Sequence, residues 1–180
     1  MDDIVKAALK KWPNVPHCYG WLALDARGDW YLRDDSIQAA GPFPQVKGDR
    51  IHHLKFKEFI QRNYDRDERG AWFFQNGPQR VYVQLEAAPL VLGVRRLNEA
   101  GEGGFEVTTH TGQVVQHVSA SWLDEMGRLF LATDLGLGLV RSLDMDVAAD
   151  ALEAGLWGEP QEELFARLPE RFHYSLTPQP

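Results

Sequence analysis

The chain has 180 residues, of which 44% are hydrophobic and 25% are charged, and its formal net charge is −7. This composition predicts a folded protein with a substantial core and excludes a disordered chain. An acidic chain without a block of Lys and Arg is not expected to bind nucleic acid or an anionic membrane surface. No apolar run approaches the about 20 residues that a membrane-spanning helix needs.

The N-terminus and the single cysteine indicate a cytoplasmic protein. Residues 1–6 lack the positive start and the apolar segment of a signal peptide. Cys18 has no second cysteine with which to pair, so nothing requires an oxidising compartment. Because it lies beside a predicted strand, we expect a buried thiol rather than a nucleophile.

The first elements in chain order are a helix and a hairpin. Residues 2–12 place acids first and lysines last, which suits the helix dipole, and Pro13 ends the helix. Residues 19–24 and 29–33 flank a glycine-containing turn and predict a hairpin. The apolar stripe predicted for the helix consists of Ile4, Val5, Ala8, Leu9 and Trp12.

The clearest helical pattern follows a loop rich in Pro and Gly at residues 39–49. Over residues 50–64, apolar side chains recur every three or four positions, and Asp49 is the expected cap. Residues 65–69 are predicted to be a charged, solvated connection. The apolar positions of this helix are Leu54, Phe56, Phe59, Ile60 and Tyr64.

Residues 70–96 predict the central sheet of the protein. Asn76-Gly77 tolerates the backbone angles of a tight hairpin turn, and Pro89 separates the returning strand from a further strand at residues 90–94. We expect three consecutive antiparallel strands with one buried and one wet face. The buried face should hold Val81, Val83 and Leu85, and the wet face Arg80, Tyr82, Gln84 and Glu86.

The second half of the chain is also rich in hairpin signals. Residues 98–104 are interpreted as a long hairpin loop, and residues 161–168 as a short helix. Further strands are predicted at residues 105–109, 114–118, 122–123, 128–132 and 135–140, followed by a helix from Ser142 or Asp144 to Leu152. Strands that start after Gly28, Gly70, Gly104 and Gly127 reflect either similar hairpin turns or a structural repeat.

These elements predict an α+β protein of mainly antiparallel, strongly bent sheets, made of consecutive hairpins and covered by two to four helices. The chain forms one compact unit over residues 1–180, or two similar halves, 1–97 and 98–180, that share a core. Aromatic residues crowd both faces of residues 30–31 and 72–74. A helix is therefore expected over the second face, with a homodimer interface as the next alternative.

A locally basic run suggests a binding site for a small anion. It leads into the predicted helix at residues 50–64, whose N-terminal N–H groups would add donors. The alternative is a solvated helix face. The predicted patch consists of Lys47, Arg50, His52, His53, Arg80, Arg95 and Arg96.

A catalytic site is the competing interpretation. It would use His110 or His117 as base, Asp134 or Asp144 as its partner, and Arg95 or Arg96 for an anionic substrate. No nucleophile, nucleotide or zinc motif supports it, because the chain contains no Gly-x-Ser-x-Gly, Walker or His-Glu-x-x-His pattern. The acidic residues Asp134, Asp144, Asp146 and Asp150 could hold a divalent cation, but helix capping and the favourable helix dipole in the first turn explain Asp144 and Asp146 more simply. We therefore expect no metal and no cofactor.

Several short segments carry a resemblance to known proteins. They are Gly28-Asp-Trp-Tyr, the helical residues 56–64, Gly70-Ala-Trp-Phe-Phe and Val81-Tyr-Val-Gln-Leu-Glu-Ala-Ala-Pro-Leu-Val. In this order the chain resembles a small proteobacterial family of unknown function and, over residues 19–150, a second such family with a proposed signal-transduction role. The resemblance implies an α+β fold with repeated strand–helix motifs and self-association. Here Glu86 is the acidic residue of the motif, and Leu90 replaces its aromatic residue.

The sequence thus favours a non-enzymatic binding module, regulatory in character, that recognises a small anion or a protein partner. The alternatives are an enzyme that acts on a small anionic metabolite and a structural subunit of a complex.

Overall fold

The computed structural model describes residues 1–97 and 104–180, so the predicted loop at 98–104 lies, except for Gly104, outside the described residues. The described part confirms the α+β prediction, with open, mostly antiparallel sheets. The strands are β1 (Cys18–Leu24), β2 (Trp30–Leu32), β3 (Asp49–Arg50), β4 (Tyr64–Arg66), β5 (Trp72–Asn76), β6 (Gln79–Leu85), β7 (Leu90–Arg96), β8 (Phe105–Thr109), β9 (Val118–Leu123), β10 (Leu129–Thr133), β11 (Gly136–Val140) and β12 (Gln161–Glu162). The helices are α1 (Asp3–Lys11), α2 (Asp35–Ala40), α3 (Leu54–Arg62), α4 (Met145–Glu153) and α5 (Leu168–Arg171).

The chain divides into two compact units. Unit 1 comprises residues 1–87 and 173–180, and its sheet has the order β3-β2-β1-β6-β5-β4. Unit 2 comprises residues 88–172, and its sheet has the order β12-β9-β10-β11-β7-β8. The prediction that two halves share a core stays a prediction.

Five strands of each sheet follow the same order. In unit 1 it is β2-β1-β6-β5-β4, and in unit 2 it is β8-β7-β11-β10-β9. In unit 1, β1 is antiparallel to β2 and parallel to β6. In unit 2, β7 is likewise antiparallel to β8 and parallel to β11. The remaining strands form an antiparallel meander in each unit, β4-β5-β6 in unit 1 and β9-β10-β11 in unit 2.

The predicted three-stranded sheet at residues 70–96 is correct for its first two strands only. β5 and β6 form the expected hairpin around Asn76-Gly77. The third strand, β7, does not pair with β6, whose second neighbour is β1 in a parallel arrangement. Residues 90–94 are buried on both faces, as expected for a strand inside a sheet, and β7 lies between β8 and β11 of unit 2.

The face of β6 that was predicted to be exposed to solvent is only partly exposed. Tyr82 is 2% exposed and forms a hydrophobic cluster with Ala71 and Phe73, against which Tyr19 packs. The opposite face is covered by α3, because Phe74 contacts Phe56 and Phe59 edge-to-face, at 6.4 and 5.4 Å between ring centroids. This confirms that a helix shields the aromatic strands. Rings on both sides of β5 therefore stabilise unit 1.

Several predicted bounds in unit 1 are wrong. The helix predicted at residues 50–64 is α3, and its cap is His53, whose Nδ1 accepts from the Phe56 N–H. Asp49 is not the cap, since it belongs to β3 and pairs with β2. The connection predicted at residues 65–69 instead contains the end of β4. In α1 only Val5 is buried, while other members of the predicted apolar stripe reach solvent.

Unit 2 differs from prediction at two places. Residues 114–118 do not return as a strand beside β8; Val114 makes a single bridge to Thr108, and β9 pairs with β10. The helix predicted at 161–168 is instead β12, a 3₁₀ turn (Phe165–Arg167) and α5. Among residues 1–97 and 104–180, no helix has the length and apolar character needed to cross a membrane.

Candidate functional site: an arginine-lined pocket beside a repeated turn

The candidate site begins with the tight turn between β4 and β5. Asp67 Oδ1 accepts from the N–H groups of Arg69 and Ala71, at 3.0 and 2.9 Å. Gly70 closes the turn by donating its N–H to the Asp67 carbonyl. The turn holds its charged side chains at fixed positions next to the end of β6.

The same turn occurs at two other hairpins. Asp25 Oδ1 accepts from the N–H groups of Arg27 and Asp29, and Gly28 donates to the Asp25 carbonyl. Asp124 Oδ1 accepts from the N–H groups of Met126 and Arg128, with Gly127 in the closing position. An Asp-x-x-Gly sequence therefore produces one turn geometry, because the carboxylate satisfies two backbone donors and glycine adopts the positive φ.

The turn at Asp67 forms one side of a polar cavity of about 460 Å³. The other side is β6, whose alternation directs Arg80 and Tyr82 into the cavity and Gln79 and Val81 to the opposite face. Three arginines against two carboxylates leave the lining with one net positive charge. We call this cavity the arginine pocket, and it is lined by His17, Arg66, Asp67, Glu68, Arg69, Arg80 and Tyr82.

Two of these arginines are held by aromatic rings rather than by acids. The Arg80 guanidinium lies over Phe73 at 4.4 Å, and that of Arg66 over Trp72 at 5.9 Å. Within the part of the chain that the structure describes, neither has a carboxylate within the 4.0 Å of an ion pair. Stacking restrains a guanidinium while leaving its in-plane N–H groups available to a ligand.

Asp67 and Tyr82 form the polar floor of the arginine pocket. The Tyr82 hydroxyl donates to Asp67 Oδ2 at 3.0 Å, and Arg69 Nε lies 3.4 Å from the same oxygen. Burial acts to raise the pKa of Asp67, but the hydrogen bonds from Ala71, Tyr82 and Arg69 outweigh it and lower the pKa. Burial and the Asp67 carboxylate raise the pKa of Tyr82. Tyr82 is therefore a neutral donor, and Asp67 an ionised acceptor with both oxygens occupied.

Of the seven residues of the predicted anion patch, Arg80 alone lines the arginine pocket. Lys47 Nζ instead bridges Asp25 Oδ2 and Glu86 Oε2, at 2.9 Å each. Arg50 pairs with Asp29 at 2.6 Å. The two partners of Lys47 fix the turn at Asp25, so these cations are used for structure.

The other members of that patch lie elsewhere. His52 is exposed, and His53 caps α3, which occupies the first helical donor that an anion would use. In unit 2, Arg95 pairs with Glu106 at 2.7 Å, and Arg96 pairs with Asp150.

The residues of the competing catalytic interpretation are also engaged. His110 Nδ1 accepts from the Val91 N–H at 3.2 Å, and burial lowers the pKa of His110 to about 3. Asp144 accepts from Arg141 and from the Val94 N–H. Asp134 accepts from the backbone N–H of His117. Cys18 is half-buried, and burial raises the pKa of its thiol.

Sequence reasoning missed Arg66 and Arg69 because they lie in a segment interpreted as a solvated connection. Two signals point to them. The first is the recurrence of Asp-x-x-Gly at residues 25, 67 and 124, and the second is the alternation of Arg80 with Val81 in β6. No group of three His, Cys, Asp or Glu residues in the described ranges, 1–97 and 104–180, is placed to hold a metal ion.

Comparison with protein families assigns the chain as a whole. The model of the family DUF2944, described as "Protein of unknown function (DUF2946)", matches residues 1–177. The chain belongs to this family. The predicted resemblance to a family of unknown function over the whole chain is thereby confirmed. No curated protein matches this DUF2944 member.

Two solved structures resemble this DUF2944 protein. One is a DUF1285 family protein from Silicibacter pomeroyi DSS-3, with 14% identity and a TM-score of 0.53, covering 76% of this chain and 72% of that chain. The other is a DUF1285 family protein from Shewanella baltica OS155, with 18% identity and a TM-score of 0.48, covering 72% of this chain and 91% of that chain. At these identities, the likeness to the first protein shows a shared fold only.

Proposed function

We propose that this DUF2944 protein is a binding module that takes a small oxyanion into the arginine pocket. The observation that carries the proposal is that Arg66 and Arg80, both without a carboxylate partner in the described ranges, face one cavity together with Arg69. A guanidinium presents a planar set of donors that matches the oxygens of a phosphate or carboxylate.

The charge inventory supports this choice of site. Most arginines of the chain are already neutralised by carboxylates, and Arg33 is buried against the carbonyl oxygens of Gly41 and Val46. The solvent-facing arginines without a carboxylate among the described residues are Arg27, Arg66 and Arg80, and two of these three line the same cavity. An acidic protein that keeps two unpaired arginines together repels anions less there than elsewhere on its surface.

The same geometry favours binding over acid–base chemistry. Both oxygens of Asp67 are occupied by hydrogen bonds, and the Tyr82 hydroxyl is committed to Asp67. A group that already accepts from several donors, and whose pKa is lowered by them, is a poor general base. Asp67 and Tyr82 are therefore not available to a ligand for acid–base chemistry, while the guanidinium groups remain as fixed donors.

Isothermal titration with inorganic phosphate tests the proposal. The wild-type protein should bind phosphate, and Arg80→Gln should weaken the binding by about ten-fold or more, because a charge-assisted contact contributes about 1.5–3 kcal/mol. Arg27→Gln is the matched control, since Arg27 occupies in the Asp25 turn the position that Arg69 occupies in the Asp67 turn. The absence of phosphate binding, or an equal loss in both variants, would contradict the proposal.

The predicted cytoplasmic location stays a prediction, and so does the homodimer that the sequence offers as an alternative. Mass photometry at several protein concentrations measures the second one directly.

A further inference from the structure

Glu68 is the second carboxylate of the arginine pocket, beside Asp67, and it makes no ion pair within the described residues. Its backbone carbonyl lies 3.0 Å from His173 Nε2, which anchors the turn within unit 1. Its exposed side chain has no ion pair with any described cation, and Arg69 pairs with Asp67 instead. Among the described residues, the arginine pocket therefore presents two guanidinium groups without a carboxylate partner, Arg66 and Arg80, and one carboxylate without an ion pair, Glu68.

The cavity is larger than an inorganic oxyanion requires. Phosphate has four oxygens, and a water-sized oxygen accounts for about 30 Å³ of liquid volume, so the ion occupies roughly 120 Å³. The arginine pocket measures about 460 Å³, within the range of roughly 300–1,000 Å³ that is usual for sites of whole small molecules. Most of the space is thus left for the rest of a ligand.

The unpaired carboxylate restricts the chemistry of that remainder. Glu68 repels a second anionic group and accepts hydrogen bonds from hydroxyl groups. The two unpaired guanidinium groups suit a dianionic phosphate, which can accept from both at once. Glu68 and the arginines therefore discriminate between the two ends of a ligand.

We propose that the ligand of the arginine pocket is a phosphate monoester of a hydroxyl-bearing molecule, as in a sugar phosphate, with its phosphate at Arg66 and Arg80 and a hydroxyl at Glu68. This inference rests on the proposed function of the pocket. It adds that Glu68 recognises the hydroxyl-bearing part of the ligand. A site for an anion alone would not need this recognition.

The test compares the affinities of glucose 6-phosphate and inorganic phosphate by isothermal titration. Wild-type protein should bind glucose 6-phosphate about ten-fold more tightly than phosphate, since a hydrogen bond to a charged group contributes about 1.5–3 kcal/mol. Glu68→Gln should remove most of that preference and should bind phosphate at least as tightly as wild type, because a nearby negative charge is lost. Glu58→Gln, an exposed change on α3 of the same unit, should leave both affinities unchanged.

The possible failures are distinguishable. If the wild type binds the two compounds equally, or if its preference persists in Glu68→Gln, the role of Glu68 is wrong. The proposed anion site is not affected by either result. If neither compound binds, both the anion site and this inference are wrong. Arg80→Gln should weaken the binding of both compounds by the same factor. A loss of affinity confined to glucose 6-phosphate would overturn the placement of the phosphate at Arg80.

Discussion

The turns at Asp67 and Asp124 have the same backbone and opposite chemistry. Each joins the first and second strands of the meander in its unit, β4–β5 in unit 1 and β9–β10 in unit 2. Each Asp accepts from two N–H groups, and each glycine closes the turn. The cavity beside the first is lined by three arginines, whereas that beside the second is lined by four acids, Asp124, Glu125, Glu162 and Glu163.

The difference follows from the second oxygen of each aspartate. In unit 1, Asp67 Oδ2 accepts from Tyr82 at 3.0 Å and more weakly from Arg69 at 3.4 Å, and Arg66 and Arg80 have no carboxylate partner among the described residues. In unit 2, Asp124 Oδ2 accepts from Arg128 at 2.7 Å, and this guanidinium also lies over Phe165 at 4.4 Å. Asp and Gly therefore determine the turn, while the flanking positions are free to vary in charge.

The largest effect expected from this comparison concerns the closing glycines. Gly70 and Gly127 have φ values of +76° and +72°, so any Cβ is strained by about 1–2 kcal/mol at either position. A Cβ at Gly70 would also collide with the backbone carbonyl of His173, whereas nothing lies within 4 Å at Gly127. Overpacking of this kind adds about 1–3 kcal/mol. Gly70→Ala should therefore destabilise the protein by about 3 kcal/mol and Gly127→Ala by about half as much.

Urea denaturation of the two variants measures the difference. Equal destabilisation would show that the backbone at His173 moves aside at no cost in free energy. The two turns would then differ only in the charge of the residues around them.

The next effect concerns acid stability, in which unit 2 should be the more sensitive unit. Burial lowers the pKa of His110 from 6.5 to about 3, so between these values the unfolded chain binds a proton that the folded chain excludes. Stability should fall as the pH decreases below 6.5, with a limiting slope of about 1.4 kcal/mol per pH unit. Between pH 7.5 and pH 5 the loss should be about 1–2 kcal/mol.

The measurement is a set of urea denaturation curves at these two pH values for wild type, His110→Gln and His52→Gln. The first variant should lose most of the pH dependence whatever its absolute stability, and the second, at an exposed position, should keep it. A wild-type slope that persists in His110→Gln would assign the acid sensitivity to another group.

The smallest effect concerns the charge of Asp67 itself. Because its pKa is lowered on folding, its contribution to stability is complete above about pH 4 and is lost as the pH falls through the lower folded value. Asp67→Asn keeps the Oδ1 acceptor of the turn but removes the charge next to Tyr82 and Arg69. At pH 7 it should cost about 1 kcal/mol, and it should tighten phosphate binding several-fold because the arginine pocket becomes more positive.

Asp124→Asn is the matched change in unit 2. It should cost more, about 2 kcal/mol, because it deprives a half-buried Arg128 of its only described carboxylate partner. It should leave phosphate binding unchanged. If Asp67→Asn weakened phosphate binding instead, the positioning of Arg69 by Asp67 would outweigh the change in charge.

Local patterns were sufficient for much of the fold. The Asn76-Gly77 hairpin, the hairpin around residues 25–28 and the helical pattern of residues 54–62 could be predicted because turn angles and apolar periodicity are properties of adjacent residues. For the arginine pocket, the sequence identified Arg80 but grouped it with four other Lys or Arg residues and two His residues that do not line this pocket.

What the chain alone determined, then, is the set of turns and the side of each strand on which a residue lies. Only the tertiary structure decided that β6 pairs with β1 instead of β7, and so brought Tyr19 onto Tyr82 at 4.6 Å between ring centroids. The pairing of β5 with both β4 and β6 placed Arg80 opposite the turn at Asp67, with Arg66 and Arg69 beside it. Strand pairing between distant segments depends on burial summed over a whole sheet, and no local window of sequence contains that sum.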